Sequence, residues 1–121
     1  MKLYHTMIRV KDLDATLVFY TEFLGLKEVR RKAIGDEATL VFLSDEEQRY
    51  FLELTHNHDG RDYELGTQFG HLAFTVPELA PVIAEIERRG WKYRESRPEN
   101  PSRYVFVKDP DGYDIEILQA R

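Results

Sequence analysis

One pattern is written twice along this chain. "YHTMIRV" (4–10) and "GHLAFTV" (70–76) each carry a His at their second position, then an alternating run, then a Val five residues after the His. An acidic residue and a Leu follow in both, Asp12-Leu13 and Glu78-Leu79. A duplication of this kind limits the fold more than any composition does, because each copy must adopt the same supersecondary unit. After the opening run comes a helical stretch. Leu13, Leu17, Tyr20 and Leu24 recur at helical spacing before Gly25, and Leu79, Ile83 and Ile86 do so before Gly90, with Pro81 tolerated in the first turn.

Three strand-like runs follow each helix. They are Leu26 to Ala33, Ala38 to Leu43 and Arg49 to Thr55 in the first half, and Trp91 to Ser96, Arg103 to Lys108 and Tyr113 to Gln119 in the second. Turn chemistry separates them: "IGDE", "SDEEQ", "RPENPS" and "DPDG". Each half therefore reads βαβββ. The expected fold is α+β: two tandem βαβββ modules with curved mixed sheets and the helices on the outer face. The expected organisation is a single domain over 1–121, built of modules at about 1–58 and 68–121 joined by a linker at 59–67. A chain of 121 residues suits one such domain.

The last strand of each half repeats a second signal, "FLEL" at 51–54 and "DIEI" at 114–117. Strand side chains alternate between faces. Leu52, Leu54, Ile115 and Ile117 then take the core face. Glu53 and Glu116 take the other, together with His5, His71, Met7, Arg9 and Phe51. An antiparallel sheet with one wet face shows the same alternation. A carboxylate in a half-buried strand is costly unless paired, and the joint recurrence of His plus Glu also fits a divalent-metal site. Imidazole nitrogen and carboxylate oxygen are competent ligands, and two carboxylates neutralise a dication.

Other classes are narrowed by composition. The net charge is −5 with no basic run, so nucleic acid is not an expected partner. No apolar run approaches the ~20 residues of a membrane span. The N-terminus has no signal-peptide pattern, and cytoplasmic localisation is expected. With no cysteine there is no disulfide, thiolate ligand or Cys nucleophile. His56 and His58 in "HNHDG" are expected at the surface, Phe19 and Tyr20 in the core, and Trp91 at the start of a strand, in core or dimer contact.

Six segments taken in order, "HTMIRV", "DLDATLVFYTEFLGLK", "ELTHN", "YELGT", "FGHLAFTV" and "DPDGYDIEI", resemble the bacterial glyoxalase I (lactoylglutathione lyase) branch of the vicinal oxygen chelate superfamily over nearly the whole chain. The resemblance implies a metal octahedron of His5, Glu53, His71, Glu116 and two waters. It implies a homodimer in which the first module of one chain faces the second of its partner. The short chain resembles the group that prefers nickel or cobalt, with zinc as the other candidate. The implied substrate is the hemithioacetal of methylglyoxal and glutathione, isomerised to S-lactoylglutathione through an enediolate. Glu116 is the expected main base and Glu53 a second. Arg9 and Asn57 are the expected contacts to the glutamyl end of the thiol.

One segment departs from that family. "RPENPSRYVFVKDPDG" is shorter than its counterpart and lacks a Lys-Gly loop; Arg97 or Arg103 could substitute in meeting the glycyl carboxylate, and another thiol becomes conceivable. The rival readings are a ligand-sequestering protein, a ring-cleaving oxygenase, an isomerase acting on another substrate, and a metal-free interaction module. Four intact ligands disfavour the first two.

Overall fold

The structure is a computed structural model and describes residues 1–120. Its elements follow the repeat: β1 (His5–Arg9), α1 (Leu13–Leu17) running into a π-helical segment (Val18–Phe23), β2 (Lys27–Ile34), β3 (Ala38–Ser44) and β4 (Phe51–Asn57). Then come β5 (His71–Val76), α2 (Ala80–Arg88), β6 (Arg94–Glu95), β7 (Tyr104–Lys108) and β8 (Asp114–Gln119). The chain separates into two compact units, Met1–Glu64 and Leu65–Arg121. Each holds one four-stranded mixed sheet, ordered β1-β4-β3-β2 in the first and β5-β8-β7-β6 in the second. In both, the first strand pairs parallel with the last, and the other neighbours pair antiparallel.

The core of the first module collects Ile8, Val10, Val41, Leu43, Leu52 and Leu54 from the sheet with Phe19 and Tyr20 from the helix, all buried. In the second it collects Val105, Val107, Ile115 and Ile117 with Leu79 and Ile86. These are the apolar faces that alternation assigned.

Asp12 caps α1, its side chain accepting from the Ala15 N–H at 3.1 Å. The first helix is not α-helical throughout, as the spacing of its leucines had implied. Leu24 N–H donates five residues back to the Phe19 carbonyl at 3.0 Å. The wider turn brings adjacent Phe19 and Tyr20 both into the core, with ring centroids 5.1 Å apart, and leaves Val18 outside. A regular α-turn separates neighbours by about 100°, too much for two large rings to share one narrow stripe.

The strand expected over Trp91 to Ser96 is also different. Only Arg94 and Glu95 pair, with Phe106 and Val105, and one further bond runs from Ser96 N–H to the Tyr104 carbonyl. Trp91 instead closes the helix, its N–H donating to the Ile86 carbonyl at 3.2 Å, and the Arg89 guanidinium lies 5.1 Å from its ring centroid. Arg103 precedes β7 rather than opening it.

The turns before β4 and β8 are alike in resting on an Asp carboxylate that accepts two backbone N–H groups. Oδ1 of Asp45 accepts from the Glu47 and Gln48 N–H groups, and Oδ1 of Asp109 from the Asp111 and Tyr113 N–H groups. In each turn the third residue after the Asp has positive φ: Gln48 at 53° and Gly112 at 89°. A side chain at that conformation costs about 1–2 kcal/mol, partly offset by the entropy glycine loses on folding. Gln48→Gly should therefore raise stability by a few tenths to about 1 kcal/mol in denaturant unfolding. A clear loss would mean that the Gln side chain makes a contact worth more than the strain.

Candidate metal centre

Parallel pairing of the first and last strands is what brings each His to its Glu. In the first module His5 stands opposite Phe51, and Met7 opposite Glu53. The diagonal leaves Nε2 of His5 3.3 Å from Oε1 of Glu53. In the second, His71 stands opposite Asp114, and Ala73 opposite Glu116. Nε2 of His71 is 3.2 Å from Oε1 of Glu116. The carboxylates are the more buried partners, Glu53 at 12% side-chain exposure and Glu116 at 16%, against 34% and 42% for the imidazoles. The sequence thus juxtaposes two like pairs on two like sheets.

At these distances a protonated Nε2 donates to the carboxylate. The same separation suits two donors sharing one ion. Bonds of about 2.1 Å at a right angle hold their donors about 3.0 Å apart. Two nitrogens and two oxygens form a set suited to a divalent transition metal. Among the described residues, no three His, Cys, Asp or Glu side chains gather closely enough to hold an ion. Each module therefore presents one half of the expected ligand set.

The two halves are not equivalent. Oε2 of Glu53 accepts a hydrogen bond from the Thr55 hydroxyl at 3.0 Å, so both of its oxygens are engaged. The residue two beyond Glu116 is Leu118, which has no hydroxyl to offer. The repeat supplies no Thr signal, and sequence reasoning missed this residue.

Aromatic rings back both pairs. Phe42 is edge-on to His5 with centroids 5.9 Å apart, and Phe106 is edge-on to His71 at 5.0 Å. Phe42 and Phe106 stand in register opposite Glu53 and Glu116. Neither was singled out from the sequence, although both precede their Asp-centred turn by three residues.

The other candidates are more dispersed. Arg9 is exposed and shares the His5 face of β1 by alternation. Asn57 ends β4, its amide donating to the Tyr63 hydroxyl at 2.7 Å, in a cleft of about 260 Å³ that Lys11, His56 and Arg61 also line. His58 is exposed and His56 half-buried, with rings 5.4 Å apart. The His58 ring is engaged by Thr39 and the Asp36 carbonyl, and His56 by the Val10 carbonyl. Arg103 is exposed, and its backbone carbonyl accepts the Gln119 N–H at 2.9 Å. Arg97 lines a separate cleft of about 710 Å³ with Arg94, Asn100 and Tyr104.

Two sheets of this topology with a His–Glu pair on each narrow the kinship, and comparison with known proteins decides it. Residues 2–117 match the Glyoxalase/Bleomycin resistance protein/Dioxygenase superfamily. The chain belongs to that superfamily. It is 41% identical to a lactoylglutathione lyase of Neisseria meningitidis over 127 residues, spanning 100% of this chain and 92% of that protein. Among solved structures it is similar to a glyoxalase I of Leishmania major described as trypanothione-dependent. That match has a TM-score of 0.85 at 37% identity and covers 98% of this chain and 86% of the other. Glyoxalase I from Zea mays gives a TM-score of 0.86 at 33% identity over 98% of this chain, which spans only 44% of the maize chain.

The DPDG turn sets the register of β8 and hence of Glu116. Asp109 is 5% exposed, and its carboxylate holds two backbone N–H groups at 2.9 Å. Asp109→Ala should strand both and cost about 1–3 kcal/mol, read as a lower denaturant midpoint. Asp109→Asn keeps one acceptor oxygen and should lose less.

Proposed function

We infer that this protein is a metal-dependent lactoylglutathione lyase that isomerises the hemithioacetal of methylglyoxal and glutathione to S-lactoylglutathione. The carrying observation is the repeated His–Glu pair on a chain 41% identical to a lactoylglutathione lyase over its whole length. We propose that the two βαβββ modules form one glyoxalase-type domain. His5, Glu53, His71 and Glu116 are its metal ligands, with nickel or cobalt favoured and zinc possible in their place. The active site is proposed to assemble in a homodimer, the first module of one chain meeting the second of its partner. Cytoplasmic localisation is part of the same proposal, and no described helix is long and apolar enough to cross a membrane.

A divalent metal held by His5, Glu53, His71 and Glu116 would supply Lewis-acid stabilisation of the negative charge that develops on the substrate. The protein's own groups move the protons. Glu116 takes the proton from C1, the carbon that bears sulfur, leaving the enediolate. A proton is then returned at C2, and the proton of the C1 hydroxyl passes to the C2 oxygen. C1 becomes the thioester carbonyl and C2 the carbinol carbon, so the step is an isomerisation without oxidant. General-base catalysis of this kind contributes about 10²–10⁴-fold.

The asymmetry at Thr55 supports giving that work to Glu116. A carboxylate held on both oxygens is fixed for ligation, and one held on a single oxygen is freer to swing. Glu53 keeps a secondary proton-transfer role on the opposite face of the intermediate. Arg9, Asn57 and Arg103 are proposed to grip the ends of the thiol. Arg presents a planar fork that matches a carboxylate. Another low-molecular-weight thiol in place of glutathione is the second reading, favoured by the missing Lys-Gly loop. The trypanothione dependence of the Leishmania relative, at 37% identity, indicates that a similar chain can serve another thiol.

The deciding experiment strips the metal and refills the protein separately with nickel, cobalt and zinc. Each form is assayed with hemithioacetals of glutathione and other thiols. Absence of turnover with every metal and thiol would sink the lyase reading. Glu116→Gln should lower kcat by at least about 10²-fold. Thr55→Val, by freeing Glu53, should weaken metal affinity about 10–100-fold in a competitive chelator titration. Unchanged affinity would remove Thr55 from the account.

A further inference from the structure

A single cross-strand row is repeated in both modules and ends in the same residue. In the first module the row is Met7, Glu53, Phe42, Arg30; in the second it is Ala73, Glu116, Phe106, Arg94. The Arg30 guanidinium lies 4.3 Å from the centroid of Phe42, and the Arg94 guanidinium 4.9 Å from that of Phe106. Each of those rings in turn stands edge-on to His5 or His71. The contacts are continuous from imidazole to ring to guanidinium, so both arginines lie on the face that bears the metal ligands.

In β2 the chain is bent to achieve this. Glu28 pairs with Leu43, yet Arg30 pairs with Phe42, with a bulge between them. Without the extra residue Val29 would face Phe42, and Arg30 would point to the core side. Bulges re-aim side chains in this way beside functional sites.

The surroundings of the two guanidiniums indicate what they are for. Other arginines are committed to carboxylates: Arg31 to Glu28, Arg61 to Asp59, Arg88 to Glu85. Among the described residues, none accepts a hydrogen bond from Arg30 or Arg94, and both are exposed. A cation held over a ring keeps its in-plane N–H fork available for a planar anion. Each lies two strands from its Glu, about 10 Å at the usual strand spacing. A thiol whose reacting carbon sits at the metal ligands carries its carboxylates at a similar distance, since one to three residue lengths of extended chain span about 3.5–10 Å.

We propose that Arg30 and Arg94 are repeat-related specificity residues that, together with the contacts proposed above for Arg9, Asn57 and Arg103, bind the carboxylates of an acidic thiol cosubstrate. The proposal rests on the lyase reading above. It accounts for an acidic thiol being held without a Lys-Gly loop, because the anchors stand on the edge strands themselves.

The test uses the metal-loaded full chain and Arg30→Gln, Arg94→Gln, the double variant and the two Lys variants. Their substrates are hemithioacetals of methylglyoxal with glutathione, with its diethyl ester and with 2-mercaptoethanol. With glutathione, each Gln variant should raise KM about 10-fold or more while kcat stays within about 3-fold, as loss of a charge-assisted bond requires. With the diester or the neutral thiol, variants and parent should match, and Lys should recover part of the glutathione affinity. Calorimetry with S-hexylglutathione should show the same loss without any turnover. An unmoved KM and affinity for glutathione ligands would overturn the proposal. An equal loss with the uncharged thiols would also do so, assigning the arginines to holding the rings. If the parent turns over no hemithioacetal, the lyase reading fails, and the calorimetric comparison still decides the arginines.

Discussion

Everything distinctive about each module depends on a parallel ladder between strands that the chain makes far apart. β1 and β4 are adjacent in space, but a helix and a hairpin lie between them in sequence. Parallel neighbours cannot be joined by a tight turn, so the crossover is obligatory and the helix is its natural filling. Once the ladder forms, its register fixes where His5 falls relative to Glu53. A slip of one residue would move the whole β4 set to the other face. The apolar alternation prevents that slip, because Leu52 and Leu54 would leave the core and Glu53 would enter it. The burial of two leucines thus specifies the position of a carboxylate.

The turns before β4 and β8 reinforce the same register from outside. Asp45 and Asp109 each fold the backbone on their own carboxylate and deliver the strand at a fixed offset. The first turn ends in Gln48 and the second in Gly112, so the second reaches the left-handed conformation without a side-chain penalty. Glu116 follows the less strained turn and has the looser carboxylate. Glu53 follows the more strained turn and is tied down by Thr55. The duplicated unit has diverged in how each carboxylate is held.

What the sequence made legible were the features that repeat or alternate. The order of strands and helices, the core leucines and isoleucines, and the pairing of His with Glu all follow from a period of two within strands and a duplication between halves. The features it hid are those that break a period. The π-helical turn at Val18–Phe23 looks like an ordinary helix, because four leucine and tyrosine positions fit either winding. The bulge between Glu28 and Arg30 inverts the face of every later residue in β2, and nothing in "KEVRRKAI" marks it. The strand at Trp91 failed because an aromatic after a glycine cap suits the end of a helix as well as the start of a strand.

The row that ends in Arg30 and Arg94 shows how a structure adds chemistry to a pattern already seen. Each arginine stands among other charged residues in the sequence, and no pattern there sets it apart. Its meaning comes only from the register, which stacks it on a phenylalanine, and from that ring's contact with the histidine of the His–Glu pair. One guanidinium reaches this place through a bulge and the other through a two-residue strand. Two unlike local solutions converge on one arrangement. Such convergence within a duplicated fold is difficult to attribute to strand packing alone, because packing would have been served equally by the valine that the bulge displaces.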